Sequence, residues 1–223
     1  MKRKYERVYH YLEARWAIED LEKKRIKLSV FDNVNDPREL RAYTLRPYEK
    51  QIEVVVEWFA KTFCLLCFAP DSCSPQMWDC YGDKGNGICL GFDIKRSMVT
   101  PVEYVDKLKV VDFPIELVKA LKRLDLTVTT NPSPTVKRGL DYLRPFFLTK
   151  FSEWSHEKER RALLNKDEEE NGFYFAKFFK SGMFLQEVIL GEDCDASEDY
   201  IRSLLMEYPR QPIIVRKMTR LEE

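Results

Sequence analysis

Apolar residues along this chain switch period several times, and each switch marks a predicted element. Residues 8–12 (VYHYL) read as a short opening strand. Ala14, Ala17, Ile18 and Leu21 then recur at helical spacing and predict an amphipathic helix over 13–25. Ile26, Leu28 and Val30 alternate instead, so the order is strand, helix, strand. Residues 31–37 (FDNVNDP) carry the Asp, Asn and Pro that form Asx-type turns. Ile52, Val55, Val56 and Phe59 mark a second helix.

Two continuous apolar runs follow. FCLLCF (63–68) and ICLGF (88–92) suit strands buried on both faces, and between them lie a short helix over 77–81 and a glycine turn. A strand is expected over 102–105, a helix over 116–124, and a further helix through Val136, Leu140, Leu143 and Phe147, interrupted near Pro145. TVTTNPSP (127–134) is the best loop and the one plausible linker. The segment 151–164 begins helical and ends as a strand, and strands follow over 173–179 and 184–190. Ser197 with Glu198 and Asp199 forms an N-cap and acidic first turn for a helix to Glu207, and 213–215 closes the sheet. The whole pattern predicts one α+β domain over 1–223, with a mixed, mostly antiparallel central sheet flanked by helices.

Composition narrows the function. At 223 residues and 44% apolar content the chain can build a substantial core unaided. Lys plus Arg and Asp plus Glu both number 37, so no global charge draws the protein to nucleic acid. The basic N-terminus has no apolar run behind it, and no stretch is long enough to cross a membrane, which points to the cytoplasm and no membrane partner. The six cysteines are too sparse for a disulfide framework and are expected as reduced thiols.

Few motifs carry chemistry. Gly82, Gly85 and Gly87 lie between a helix and a strand, the reverse of a phosphate-cradling loop, and read as a tight turn. Cys64 and Cys67 have zinc-knuckle spacing, but on a strand they point to opposite faces, and with only His10 and His156 available no metal is expected. Asp93-x-Lys95 resembles the acid and lysine of metal-dependent nucleases but is common by chance. Trp154, Glu157, Glu159 and Arg160 form the most informative cluster. If extended, this piece places Glu157 and Glu159 on one face, where two carboxylates can tune each other's ionisation. If helical, it pairs Glu157 with Arg161 in a solvated salt bridge.

The segments YHYL, IKLSVFDNVNDPREL, LLCFA, MWDCYGDKGNGICLGFD, VEYV, KFSEWSHEKERR and LQEVILG, in this order and spacing, resemble the bacterial and archaeal domain-of-unknown-function family 2971 along most of the chain. His10-Tyr11 fits that family's first motif; Ala69 stands where the family often has Ser. The element order also resembles that of ADP-ribosyltransferases. This second resemblance implies NAD as substrate, a macromolecular acceptor, and a toxin or phage-defence setting. It implies that His10 contacts the nicotinamide ribose with support from Ser29, that Trp78 and Tyr81 line the nicotinamide pocket, and that Glu157 or Glu159 is catalytic, with Glu187 as a rival. Tyr11 and Arg160 join the expected cofactor-binding set. Two other readings stay open: a non-catalytic binding module in which the aromatics are core, and a metal-dependent nuclease built on Asp36, Glu157 and Glu159.

Overall fold

The computed structural model describes residues 4–31, 36, 38, 40–46, 57, 60–112, 144–166, 168–209 and 212–218. In chain order its elements are β1 (Tyr5–Leu12), α1 (Ala14–Lys23), β2 (Arg25–Leu28), β3 (Tyr43–Arg46), β4 (Phe63–Phe68), α2 (Pro75–Tyr81) and β5 (Ile88–Lys95). There follow β6 (Thr100–Pro101), β7 (Glu103–Val105), β8 (Lys109–Asp112), β9 (Thr149–Phe151), β10 (Arg160–Asn165) and β11 (Glu168–Glu170). The chain closes with β12 (Phe173–Lys177), β13 (Met183–Leu190), α3 (Glu198–Leu205) and β14 (Ile214–Lys217). The protein is α+β, with a mixed, mostly antiparallel main sheet, as the periodicity predicts. Among the described residues no helix is long and apolar enough to cross a membrane. The helices expected from Ile52 to Phe59, over 116–124 and through Val136, Leu140 and Leu143, the 127–134 loop, and Asn35 and Pro37 lie outside the described residues, save for helical residues at Glu57, 60–62 and 144–148.

Contacts divide the chain into two compact units. The first comprises Met1–Ser29, Cys64–Pro101 and His156–Glu223; the second comprises Val30–Phe63 and Val102–Ser155.

The first unit is built on a four-stranded sheet of order β1-β5-β13-β14. β1 and β13 flank β5 antiparallel, while β14 runs parallel to β13 and is reached through α3. Ser197 accepts a hydrogen bond from the Tyr200 N–H and caps α3, as its sequence predicts. On one sheet face Val8, Leu90, Phe92, Leu185 and Val188 are fully buried, and Phe178 packs against Phe92 at 5.1 Å. α1 turns its buried Ala17 and Leu21 inward and contacts β5. A β-bulge between Leu185 and Glu187 shifts the register of β13 against β5. Because an extra residue reverses the alternation, the bulge turns Glu187 to the opposite face, level with Gly91.

Two smaller sheets complete this unit, β4-β10-β6 and β11-β12-β2. β4 also bridges Ser29 through Leu65, and Ala69, just beyond its end, bridges Tyr9. The glycine segment after α2 is a tight turn: Gly87 and Gly85 accept backbone hydrogen bonds from Gly191 and Asp193. A side chain at Gly87 would strike the Leu12 carbonyl, so the close approach itself demands glycine.

The second unit pairs β3 with β8 and β7 with β9, both parallel. Its core stacks Phe31 on Phe147 and Tyr43 on Phe146, edge to face at 5.2 and 4.9 Å. Lys150 is buried with its ammonium 4.8 Å from the Trp154 ring centre, a cation–π contact that offsets part of its desolvation. Asp36 accepts from the Arg38 N–H at 2.8 Å, closing the turn its sequence suggests.

Candidate functional site

Strand alternation gives the main sheet a second, polar face. Along β1 it presents Arg7, Tyr9 and Tyr11, and opposite them in register stand Asp93, Gly91 and Cys89 of β5. Glu187 and Ile189 continue the rows on β13, and Ile189 faces Arg216 of β14. The face grades from apolar to charged. At one end Tyr11, Trp78, Cys89, Met77, Ala69 and Ile189 form a buried cluster. At the other, Arg7 Nε donates to Asp93 at 2.8 Å.

Glu187 occupies the middle, and its side chain is only 10% exposed. Arg216 Nε donates to its Oε1 at 2.8 Å, and an Arg7 terminal nitrogen lies 3.8 Å from Oε2. Arg216 also donates to the Ser72 hydroxyl at 3.3 Å. Burial, then the charge of Glu187, raises the pKa of the Tyr9 phenol, so it stays protonated and able to donate. The same two causes push the Cys89 thiol well up, which makes it inert. Gly91 leaves room for this arrangement: a Cβ there would sit 3.1 Å from both the Glu187 Cβ and the Tyr9 ring.

The transferase resemblance requires His10, Ser29, Tyr81 and Glu157 or Glu159 to converge in one open cleft. The residues singled out by sequence instead separate into groups, with His10 and Ser29 away from the Tyr81–Glu157 pair. His10 and Tyr11 are neighbours on β1 and therefore project from opposite faces of the sheet. His10 lies half-buried with Phe68 edge-on at 5.9 Å, and its Nδ1 donates to the Cys67 carbonyl at 2.7 Å. Burial lowers its pKa, so the imidazole is neutral near pH 7. Tyr11 and Trp78 lie in the apolar cluster, edge to face at 5.1 Å, with polar atoms already committed to backbone. The Tyr11 hydroxyl donates to the Asp71 carbonyl and the Trp78 indole to that of Ser72. Ser29 is exposed, and its backbone pairs with Leu65.

Tyr81 and Glu157, in contrast, come together. Tyr81 ends α2, whose N-terminus is set by Ser74 and Pro75, and packs against the apolar cluster. Its hydroxyl donates to Glu157 Oε1. Glu157 ends a 3₁₀ turn over Ser152–Glu157 and is 4% exposed.

The local backbone follows neither sequence alternative throughout. After the turn, Lys158 adopts a left-handed φ of 45° and only then does β10 begin. Glu157 and Glu159 are therefore not consecutive members of one strand face. Glu159 instead forms a buried two-point ion pair with Arg161, Nε to Oε1 at 2.7 Å and a terminal nitrogen to Oε2 at 3.1 Å. Breaking such a pair strands a buried charge, so Glu159 serves β10. Arg160 points the other way, with Nε 3.6 Å from Glu6 Oε1.

Arg160 lines a cleft of about 690 Å³ at the charged end of the sheet, with Arg96, with Arg7 and Asp93 of the polar face and with Glu6, whose place opposite Ile94 puts it on the other face. Asp93 thus belongs to an ion pair with Arg7, while Lys95 is exposed. All six cysteines are free. Among the described residues no group of three or more His, Cys, Asp or Glu is arranged to hold a metal ion. Asp36, the third carboxylate of the nuclease reading, belongs to the second unit.

Arg7, Tyr9, Ser72 and Arg216 escape the sequence reading because each is a single polar residue whose partners lie on other strands. The usable signal is the interruption of apolar strands by Arg7 and Glu187. Compared with models of known protein families, with curated proteins and with solved structures, the chain matches none of them.

Proposed function

We propose that this protein is an NAD-dependent, ADP-ribosyltransferase-like enzyme whose catalytic carboxylate is Glu157. The observation that carries this reading is the hydrogen bond between Tyr81 and Glu157, 76 positions apart in sequence. The resemblance assigns Tyr81 to the nicotinamide pocket and either Glu157 or Glu159 to catalysis, and of these two it is Glu157 that accepts the Tyr81 hydrogen bond. When the bond from ribose to nicotinamide breaks, its electron pair leaves with nicotinamide and positive charge develops on the sugar. A fixed carboxylate with little water around it stabilises that charge, and the acceptor nucleophile then bonds to the ribose carbon. The Tyr81 hydroxyl fixes one carboxylate oxygen, which spares reorganisation during the reaction.

A second reading, a binding module without catalysis, is favoured by one observation. Tyr11 and Trp78 are core residues with their polar atoms bonded to backbone, as a structural role requires.

Incubation with labelled NAD and cell lysate separates the two. Wild type is expected to transfer label, Glu157→Gln to lose about 100-fold or more in rate, and Tyr81→Phe to lose less. Both variants should melt as cooperatively as wild type. Full activity in Glu157→Gln would remove that residue from catalysis. Absence of both NAD turnover and an NAD-induced rise in Tm would favour the binding module.

A further inference from the structure

The cleft at the charged end of the sheet holds more positive charge than its own carboxylates neutralise. Lys4, Arg7, Arg96 and Arg160 line it, against only Glu6 and Asp93. The sequence as a whole has zero net charge, so this excess of two is a local concentration. Asp93 is taken by Arg7 at 2.8 Å. Glu6 is shared: an Arg96 terminal nitrogen lies 3.0 Å from one oxygen and Arg160 Nε 3.6 Å from the other. Each guanidinium carries five N–H donors, and one carboxylate cannot saturate two of them.

The backbone holds these groups in place. Arg7 and Asp93 face each other in the β1–β5 register, and the Arg96 N–H donates to the Lys4 carbonyl at 3.2 Å. Arg160 is anchored at the start of β10, with a terminal nitrogen donating to the Lys158 carbonyl at 3.3 Å. Tyr5 and Pro70 add less polar walls, and the Tyr5 ring is steadied edge-on against Phe184 at 5.7 Å. A volume of about 690 Å³ suits a small organic molecule rather than a bare ion. Tetrahedral phosphate oxygens match the forked donors of arginine better than any neutral ligand does.

We propose that this cleft binds a phosphate-bearing small molecule, its phosphate oxygens held between Arg96 and Arg160 with Lys4 and Arg7 adding charge. The site stands on its own charge and geometry and does not require Glu157 to be catalytic.

Calorimetric titration of the full chain with pyrophosphate and with adenosine monophosphate tests this, with sulfate as a control for charge alone. At least one phosphate probe should bind, more tightly than sulfate. Tighter binding of the nucleotide would assign a phosphate ester, and of pyrophosphate a diphosphate group. Arg96→Gln and Arg160→Gln should each weaken binding by about tenfold. Glu6→Gln should strengthen it by roughly threefold, because it frees two guanidiniums at once. A damaged fold cannot produce that tightening. Failure of both probes to bind wild type, wild-type affinity in the Arg96→Gln/Arg160→Gln double variant, or weaker binding in Glu6→Gln at unchanged Tm would each overturn the proposal. NAD turnover is read separately, so a phosphate site without transfer, or transfer indifferent to Arg96 and Arg160, tells which idea has failed.

Discussion

Val8, Leu90, Phe92, Leu185 and Val188 fill one face of the four-stranded sheet without exposing any surface, whereas one residue along the same strands stand Arg7, Tyr9, Gly91, Asp93 and Glu187. The first set packs aromatic and aliphatic groups against α1 and Phe178. The second makes cross-strand ion pairs and opens into a cleft. Backbone pairing is common to both, so the difference lies in the side chains alone. The apolar face supplies stability. On the polar face, Gly91 carries no side chain, and that makes room for Glu187 and Tyr9.

The sharpest break in this comparison comes from neighbours on β5. Phe92→Ala should cost about 3–5 kcal/mol, because the emptied site is enclosed by Phe68, Phe178 and the sheet. Asp93→Ala, the next residue, should cost at most about 1 kcal/mol, since its pair with Arg7 is 36% exposed on both sides. Urea unfolding of the two variants checks the contrast. Equal losses would mean that the faces do not divide stability from function.

The apolar face was also the legible one. VYHYL, FCLLCF, ICLGF and the apolar helix stripe at Ala17 and Leu21 declare themselves locally, and β4 and α1 follow them closely, whereas β1 begins earlier, at Tyr5, and β5 runs on to Lys95. β11 has no such pattern, being three glutamates. It forms a strand because Asn171 and Gly172 both take positive φ, 53° and 79°, in a two-residue hairpin that pairs Glu170 with Phe173. That Asn-Gly pair was a readable signal. β3 and β8 are short and, among the described residues, pair only with each other, so little in either run betrays them. The site was less legible for a physical reason. Tyr81 meets Glu157, and Arg7 meets Glu187 and Asp93, through tertiary pairing that no local spacing encodes. The Trp154–Arg160 cluster was a useful pointer to place, but its turn at Lys158 decided which glutamate meets Tyr81.

A smaller effect should appear at Gly91, where the polar face is tightest. Gly91→Ala puts a methyl group 3.1 Å from the Glu187 Cβ and the Tyr9 ring, and strand backbone on both sides limits relaxation. The expected loss is about 1–3 kcal/mol. It should be partly relieved in the double variant Gly91→Ala/Tyr9→Ala, because removing the ring opens one side. A double-mutant cycle from thermal unfolding measures this coupling, and strict additivity would show that Gly91 is not spacing these two side chains.

The smallest effect tests an ionisable group on the apolar face. His10 has its pKa lowered by burial, while in the unfolded chain it titrates near the ordinary value of about 6.5. The folded state therefore binds fewer protons than the unfolded one. Its contribution to stability is complete above about pH 6.5 and is lost as pH falls from there toward the lower folded value. The slope cannot exceed about 1.4 kcal/mol per pH unit for a single group. Since Nδ1 already donates to the Cys67 carbonyl, protonation must occur at Nε2, which adds charge beside Phe68 without gaining that bond. Unfolding free energies at pH 8, 6.5 and 5 should fall more steeply for wild type than for His10→Gln, which keeps a donor for the carbonyl but cannot charge. Parallel pH profiles would mean that His10 is solvated well enough to titrate alike in both states, and the apolar face would then be open at that point.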